Sequence, residues 1–590
     1  MGFFSSAAKF VRKVAKPLKT ITSLFKMNPK LAILAIAATW LFGSLLRKQD
    51  NPDFGDTEFD NFEKGILVNK QSNDSTIPIV YGTRLVGGTR VFVETSGTDN
   101  SHLYICLVLC EGEINGITEI RVDDQVVTFT GAMADNTQRT VATSDSNFYK
   151  DSTSHITIEP HFGTDGQSSS SLLSELSSWG SNHKLSGVAY LALKFKWNQD
   201  IFSGVPRVQA KVQGKKVVTL ASNLSEQTAS FSSNPAFCLL DYLRDERYGK
   251  GIATADIDLQ SFYDASQVCV TQVTPYSGGS DINIFDTNVV LDTSRKVIEN
   301  VRDLLGACRG YLPFVGGKYN LIIETTGSAS ITLNEDDIIG GFTLASPNKN
   351  NKYNRVIVSF VNPDRNFQVD QAQFPPIDDS GLTSADRHAT MKTADGGFLL
   401  EGRFDFPTIT NTYQAEEMAE IILRRSREAL ALELQVSFSA YELAIGDIVN
   451  ITHSSVGFSS KAFRVMNMTF NEDFTIKLML VEHQDSHYTY ASKTQVSSTP
   501  ATNLPSAFTI QPPASVTLTD QLISYNDGTV IVALDVVVGA SPNSFVSFYQ
   551  VEYKKASDSD FIIYAQGSGL NHRVLNVIDQ ETYDVRVKAV

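Results

Sequence analysis

Beyond residue 60 the apolar positions come in short runs rather than in helical stripes. "TRVFVET", "HLYICLVLC", "GVAYLALKFKW", "NRVIVSFV" and "FTIKLMLVE" are rich in β-branched and aromatic residues and are bounded by Gly, Asn, Asp and Ser, the pattern of strands. Cys106 and Cys110 stand four apart in one such run, so a period of two puts them on one face, where core packing explains them better than a metal does. Helical spacing appears in only a few places. Residues 235–244 of "NPAFCLLDYLRDERYGKG" form one helix, with Asn234 as N-cap ahead of Pro235 and Gly249 ending the region. A second lies in "DTSRKVIENVRDLLGACRG", with Val297, Val301, Leu304, Leu305 and Cys308 as its apolar stripe. "TYQAEEMAEIILRRSREAL" gives the third. Short helices among many strands predict an α+β, β-dominated, multidomain chain.

The N-terminus follows another pattern. Phe3, Phe4, Ala7, Val11, Val14, Leu18, Ile21 and Phe25 recur at helical spacing, with Lys and Arg on the other face and Pro17 placed to kink the helix. "KLAILAIAATWLFGSLLRK" comes next. Its apolar core, residues 31–46, would reach about 24 Å as a helix, against about 30 Å of bilayer hydrocarbon. It is short for a span, and no signal-peptidase pattern accompanies it. The expectation is a basic amphipathic and apolar helical segment lying on a partner surface. Its contacting side chains would be Leu31, Ile33, Leu34, Ile36, Trp40, Leu41, Phe42 and Leu45.

Charge sharpens this division. The first 49 residues hold nine Lys and Arg and no Asp or Glu, whereas the rest holds 41 basic against 65 acidic side chains, a net charge of −24. An addressed basic terminus on an acidic body is the reading, and the acidic body argues against general nucleic-acid binding. Five cysteines without a CxxC pair fit reduced, buried thiols made in a cytoplasm. Domains are expected at residues 1–50 (the N-terminal segment), 51–230 (a first β region with an insertion), 231–345 (an α/β region) and 346–490 (a second β region). A Ser/Thr/Pro-rich linker at 491–513 leads to a final block at 514–590.

The chain offers little to catalysis. His483 and His487 stand four apart after a strand without an HExxH pattern, and Asp364, Asp370, Asp378 and Asp379 lie in polar loops where solvated charge is the plainer account. Nucleophile elbows, Walker loops and dinucleotide fingerprints are absent from the sequence, and no cofactor is expected. The final block, with "YQVEYK" and "TYDVRVKAV", resembles a fibronectin type III domain. Tyr583 stands in the tyrosine-corner position, Leu534 replaces the usual tryptophan, and a seventh strand is expected either from a continuation of the chain, the favoured reading, or from a neighbour that completes the sheet.

A wider resemblance runs in order from residue 77 to 490. "IPIVYGTRLVGGTRVF", "LYICLVLCEGEINGITEIRVDD", "HKLSGVAYLALKFKWNQDIFSGVPRVQAKVQGKKV", "SNPAFCLLDYLRDERYGKG" with "IDLQSFYDASQVC", and "AYELAIGDIVNITHSSVGFSSKAFRVMNM" together resemble the tail-tip hub proteins of long-tailed bacteriophages, the lambda-like tip attachment family. That resemblance implies a non-enzymatic virion protein made in the host cytoplasm and placed at the distal end of the tail. It implies a homotrimer with two tube-like β domains per chain that closes the tail tube and opens for DNA ejection. Implied partners are tail-tube proteins, a tape measure protein in the lumen, and tail fibres or a host receptor through the C-terminal region. DNA would pass without specific binding, and the N-terminal segment would have a chance to meet the host membrane. The alternative is a membrane-anchored surface adhesin, and a glycan-degrading tail enzyme is a third class.

Overall fold

The structure is a computed structural model. It describes residues 47–48, 58–71, 75–346, 352–428, 430–496, 510–543, 545–575 and 577–590. The chain divides into two compact units, Met1–Ser497 and Ser498–Val590, and the described residues are β-dominated, as the apolar pattern predicts.

The first unit opens with two packed sheets. One is antiparallel, in the order Thr89–Ser96, His102–Glu111, Val188–Lys196, Ile156–Phe162 and Arg139–Thr140. The other pairs Val208–Val217 with Ile114–Val122 and with Thr83–Val86. Ile105, Leu107, Leu191 and Leu193 of the first sheet meet Ile117, Ile120, Ala210 and Val212 of the second in one core. The outer face of the first sheet is covered as well, by Leu172, Leu173, Leu176 and Trp179 over Tyr104, Cys106, Val108 and Tyr190. Burial on both faces explains why "HLYICLVLC" reads as an unbroken apolar run. It also corrects the expectation for the two cysteines. A β-bulge opposite Ala189 and Tyr190 shifts the register, so Cys106 packs in the outer cluster and Cys110 in the inner core.

Helices Pro235–Arg244, Leu259–Cys269 and Val297–Gly306 form the middle of the unit. The side chain of Asn234 accepts from the Ala236 N–H, as expected of an N-cap, and Asp258 does the same for Gln260 N–H. Leu259–Cys269 shows the same kind of signal in its buried Phe262, Ala265, Ser266 and Cys269, at helical spacing behind a capping aspartate. These helices share one core with a sheet ordered Arg47–Lys48, Glu401–Asp405, Arg355–Asn362 and Gln368–Phe374, over which helix Thr412–Glu428 lies. A six-stranded sheet follows, ordered Ile331–Leu333, Ile448–His453, Phe458–Phe470, Ile476–Glu482, Ala431–Val436 and Thr343–Ala345. Its two three-residue edges come from the stretch expected to close an α/β region, while residues 353–423 join the helical core. The edge strands rest on pairings between residues roughly a hundred positions apart, such as Ile331 with Val449, and residues 353–423 join the helical core through packed side chains.

The second unit, taken by itself, has two three-stranded sheets. Ser515–Ser524, Val530–Gly539 and Asn571–Val574 form one; Ile562–Gly567, Tyr549–Lys555 and Tyr583–Ala589 form the other.

Candidate functional site: a polar clasp in the first unit

Two of the phrases that carried the resemblance meet in space. In "YGTR", Gly82 separates strand Ile79–Tyr81, paired with Val289–Leu291, from Thr83–Val86, paired with Val208–Val217. Its φ of +66° favours glycine, and a Cβ there would stand 2.3 Å from the Thr287 carbonyl oxygen. The chain changes partners at this point, and the side chains on either side lock the change. Tyr81 donates its hydroxyl to Asp241 of "LLDYLRDERYGKG" at 2.5 Å. Tyr248 donates to the same carboxylate at 3.1 Å, and Lys215 Nζ reaches both of its oxygens at 2.6 and 2.8 Å. Burial, with Asp241 next, pushes the Tyr81 hydroxyl well above its ordinary range, so it stays a donor. Gly249 completes the phrase: a Cβ there would lie 1.8 Å from the Tyr242 carbonyl oxygen.

Arg84 forms the second half of the clasp. It is fully buried. Its guanidinium pairs with Glu63 of helix Glu58–Ile66 and donates to the carbonyl oxygens of Asn288 at 3.2 Å and Pro407 at 3.1 Å. Three segments, around residues 63, 288 and 407, thus meet on this one side chain.

A third knot lies on helix Thr412–Glu428. Arg425 pairs with Glu324, which also accepts from Tyr311. The Arg309 guanidinium sits 4.7 Å from the Phe285 ring centre and 5.5 Å from that of Tyr488. Lys493 Nζ inserts between Glu417 at 2.7 Å and Glu420 at 2.5 Å, and its side chain is only 4% exposed. Burial pushes Glu416 beside them up to about 7. Lys493 belongs to the stretch whose composition reads as linker, yet its N–H bonds the Pro275 carbonyl and the Val496 N–H reaches the Tyr413 hydroxyl. Residues up to 496 are therefore strapped onto the first unit.

The groups singled out from sequence fall as follows. Leu31, Ile33, Leu34, Ile36, Trp40, Leu41, Phe42 and Leu45 lie outside the described residues. Just after them, Arg47 and Lys48 pair with Asp405 and Phe404 at a sheet edge. The Tyr583 hydroxyl accepts from the Ile578 N–H at 3.0 Å, tying the last strand to the turn before it. His483 is buried, hydrogen-bonded to Asp485 at 2.9 Å and stacked on Tyr488, and burial lowers its pKa. Asp370 takes hydrogen bonds from Asn362 and Arg365, Asp378 from the Ser380 N–H, and Asp379 from the His388 N–H. Each serves a turn or a strand end. Among the described residues no group of three or more His, Cys, Asp or Glu is placed to hold a metal, and no helix is long and apolar enough to cross a membrane. All five cysteines are buried, and burial raises the Cys110 thiol to about 12. The clasps tie β regions to the helical core.

No protein-family model matches the chain. It is similar to the baseplate hub protein pb3 of Escherichia phage T5, 24% identical over 461 residues, which covers 69% of this chain and 47% of that protein. It is also similar to tip attachment protein J of Escherichia phage SECphi27, 24% identical over 144 residues, 24% of this chain and 12% of that one. The chain thus spans about half the length of the first of these relatives and a smaller share of the second. Its fold is similar to that of a chain from the virion of a native gene transfer agent particle, with a TM-score of 0.52 at 13% identity, over 82% of this chain and 99% of that one. By sequence the chain is a homologue of phage baseplate hub and tip attachment proteins, and by fold it resembles a virion protein.

Proposed function

We propose that this chain is a structural, non-enzymatic protein of a phage tail, working as the trimeric hub at the distal tip. In this role three copies close the tail tube, carry the parts that recognise the host, and open when DNA is ejected. The observation that carries the reading is the similarity to a baseplate hub protein over 461 residues. The clasps around Arg84 and Asp241 suit the role, since a hub must transmit load between sheets without shearing. Tail-tube proteins above and a tape measure protein in the lumen are the partners. The acidic body, net −24 beyond residue 49, would repel DNA phosphates and let the genome pass without binding. The second unit is a fibronectin-like spacer facing fibres or a receptor, and residues 1–49 are a lumenal plug with a chance to touch the host membrane. A reconstruction of tails labelled on this chain tests the reading. Threefold density at the distal end is expected, and a single copy there, or label elsewhere on the particle, overturns it. Deleting residues 1–49 tests the plug: tails should leak or lose internal protein while the hub fold survives, and normal assembly with normal infection overturns that part.

A further inference from the structure

The stretch that ends the first unit is held differently from the residues beneath it. Among the described residues Tyr488 is the last buried one of this unit. Its ring stacks on His483 at 5.3 Å, and the guanidiniums of Arg309 and Arg464 lie 5.5 and 5.9 Å from its centre. Beyond it the chain runs over the surface. Thr489, Ala491, Ser492, Thr494, Gln495 and Val496 are all exposed. Three hydrogen bonds hold their backbone and hydroxyls to the unit. The Ser492 hydroxyl donates to the Thr274 carbonyl at 3.1 Å, the Lys493 N–H to the Pro275 carbonyl at 2.8 Å, and the Val496 N–H to the Tyr413 hydroxyl at 3.3 Å. The one deep anchor is the Lys493 ammonium between Glu417 and Glu420, with the Tyr490 ring centre 5.2 Å away.

An anchor of this kind lets go at small cost. A buried ion pair gains in attraction about what it loses in hydration, so a lysine that swings out to water recovers much of what it gives up. The carboxylates left behind are not stranded. Arg309 stands 3.8 Å from Glu417, and Arg424 stands 2.9 Å from Glu420. No packed aliphatic side chain has to leave the core with the strap, whereas Tyr488 does sit in one and stops the peeling there. Segments with few buried apolar contacts open locally, far below the free energy of global unfolding.

We propose that residues 489–496 are a releasable strap that sets how far the second unit reaches. Held down, the strap roots the tether of that unit at residue 496; released, it moves the root back to Tyr488 and adds at most about 29 Å of contour. The inference rests on the reading of the second unit as a spacer and names the device that changes its length.

The test uses the full chain. Hydrogen exchange read by mass spectrometry should show residues 489–496 exchanging at least about a hundredfold faster than strand Ile476–Glu482, at a rate that low denaturant leaves unchanged. Lys493→Gln should speed the strap at least about tenfold more while helix Thr412–Glu428 keeps its protection. Tyr413→Phe leaves every charge in place and removes only the acceptor of the Val496 N–H, so it should speed the same stretch about threefold. Labels at Ile377→Cys and Ile562→Cys, both exposed in wild type, report the reach, because the native cysteines are buried and do not take label. Lys493→Gln should extend the long end of their distance distribution by on the order of 10 Å. Strap protection equal to that of Ile476–Glu482, loss of protection throughout helix Thr412–Glu428 in Lys493→Gln, or an unchanged distance distribution each overturns the strap. A strap that opens as stated on a chain whose second unit lies away from the distal end of the tail overturns the spacer reading and leaves the strap standing.

Discussion

The two units bury their apolar faces to very different degrees. In the first, Arg355–Asn362 lies under helix Thr412–Glu428, and Val356, Val358 and Phe360 are fully buried. In the second, Ser515–Ser524 pairs along its whole length with Val530–Gly539, which puts Val516, Leu518 and Leu522 opposite Val538, Val536 and Val532. That is the face turned to the core, yet these three are 39%, 41% and 72% exposed, and the fully buried core amounts to a few residues around Val536 and Val551. Complete strand pairing therefore does not make a core. Apolar area leaves water only when a second layer covers it. The first unit has that layer and can also hold charges inside. The second lacks it over one strand.

The hardest blow to this contrast is Arg84→Met. It removes the buried guanidinium that pairs with Glu63, and loss of one partner from a buried pair costs about 3–5 kcal/mol. Chemical denaturation followed by probes in each unit should show the first unit weakened and the second unchanged.

A pH titration comes next. Glu416 keeps its proton in the folded state up to about 7, whereas an exposed glutamate ionises near 4.3. The folded state then binds more protons across that window, so the Glu416 contribution favours folding at the acid end and is lost as pH rises toward 7. The total is at most about 4 kcal/mol. Lys493, Glu417 and Glu420 face the same carboxyl. Glu416→Gln should flatten the slope, which unfolding of both proteins at pH 5 and pH 8 will reveal.

One substitution made in both units sharpens the comparison further. Val358→Ala, at a fully buried site, should cost about 2–3 kcal/mol, while Val516→Ala in the open strand should cost under about 1 kcal/mol. Equal costs would mean that Val516 is covered in solution. The smallest effect is expected from Leu522→Thr, within about 0.5 kcal/mol of wild type, with residues 510–590 on their own giving a broad, weakly cooperative melt.

Much of the candidate site stood in view before its geometry did. Tyr81, Gly82 and Arg84 lie in one quoted phrase and Asp241, Tyr248 and Gly249 in another, but nothing in either shows that residues 160 positions apart share a hydrogen bond. Lys493 was less visible still, because Ser- and Thr-rich surroundings disguise a lysine that is buried between two glutamates.

The sequence by itself determined what depends on near neighbours. Short β-branched and aromatic runs bounded by turn residues set the strands, the Asn234 cap and Pro235 set a helix start, and the basic N-terminus stood apart from an acidic body; each follows from local sterics, local hydrogen bonds or composition. Only the tertiary structure decided which face Cys110 occupies, because a single bulge reverses the parity of a strand. It alone decided that Ile331–Leu333 and Thr343–Ala345 edge the six-stranded sheet, and which carboxylate receives Arg84 or Lys493. Those choices are set by loop closure over long separations and by the cost of leaving a charge unpaired away from water, and neither quantity is written in any short stretch of the chain.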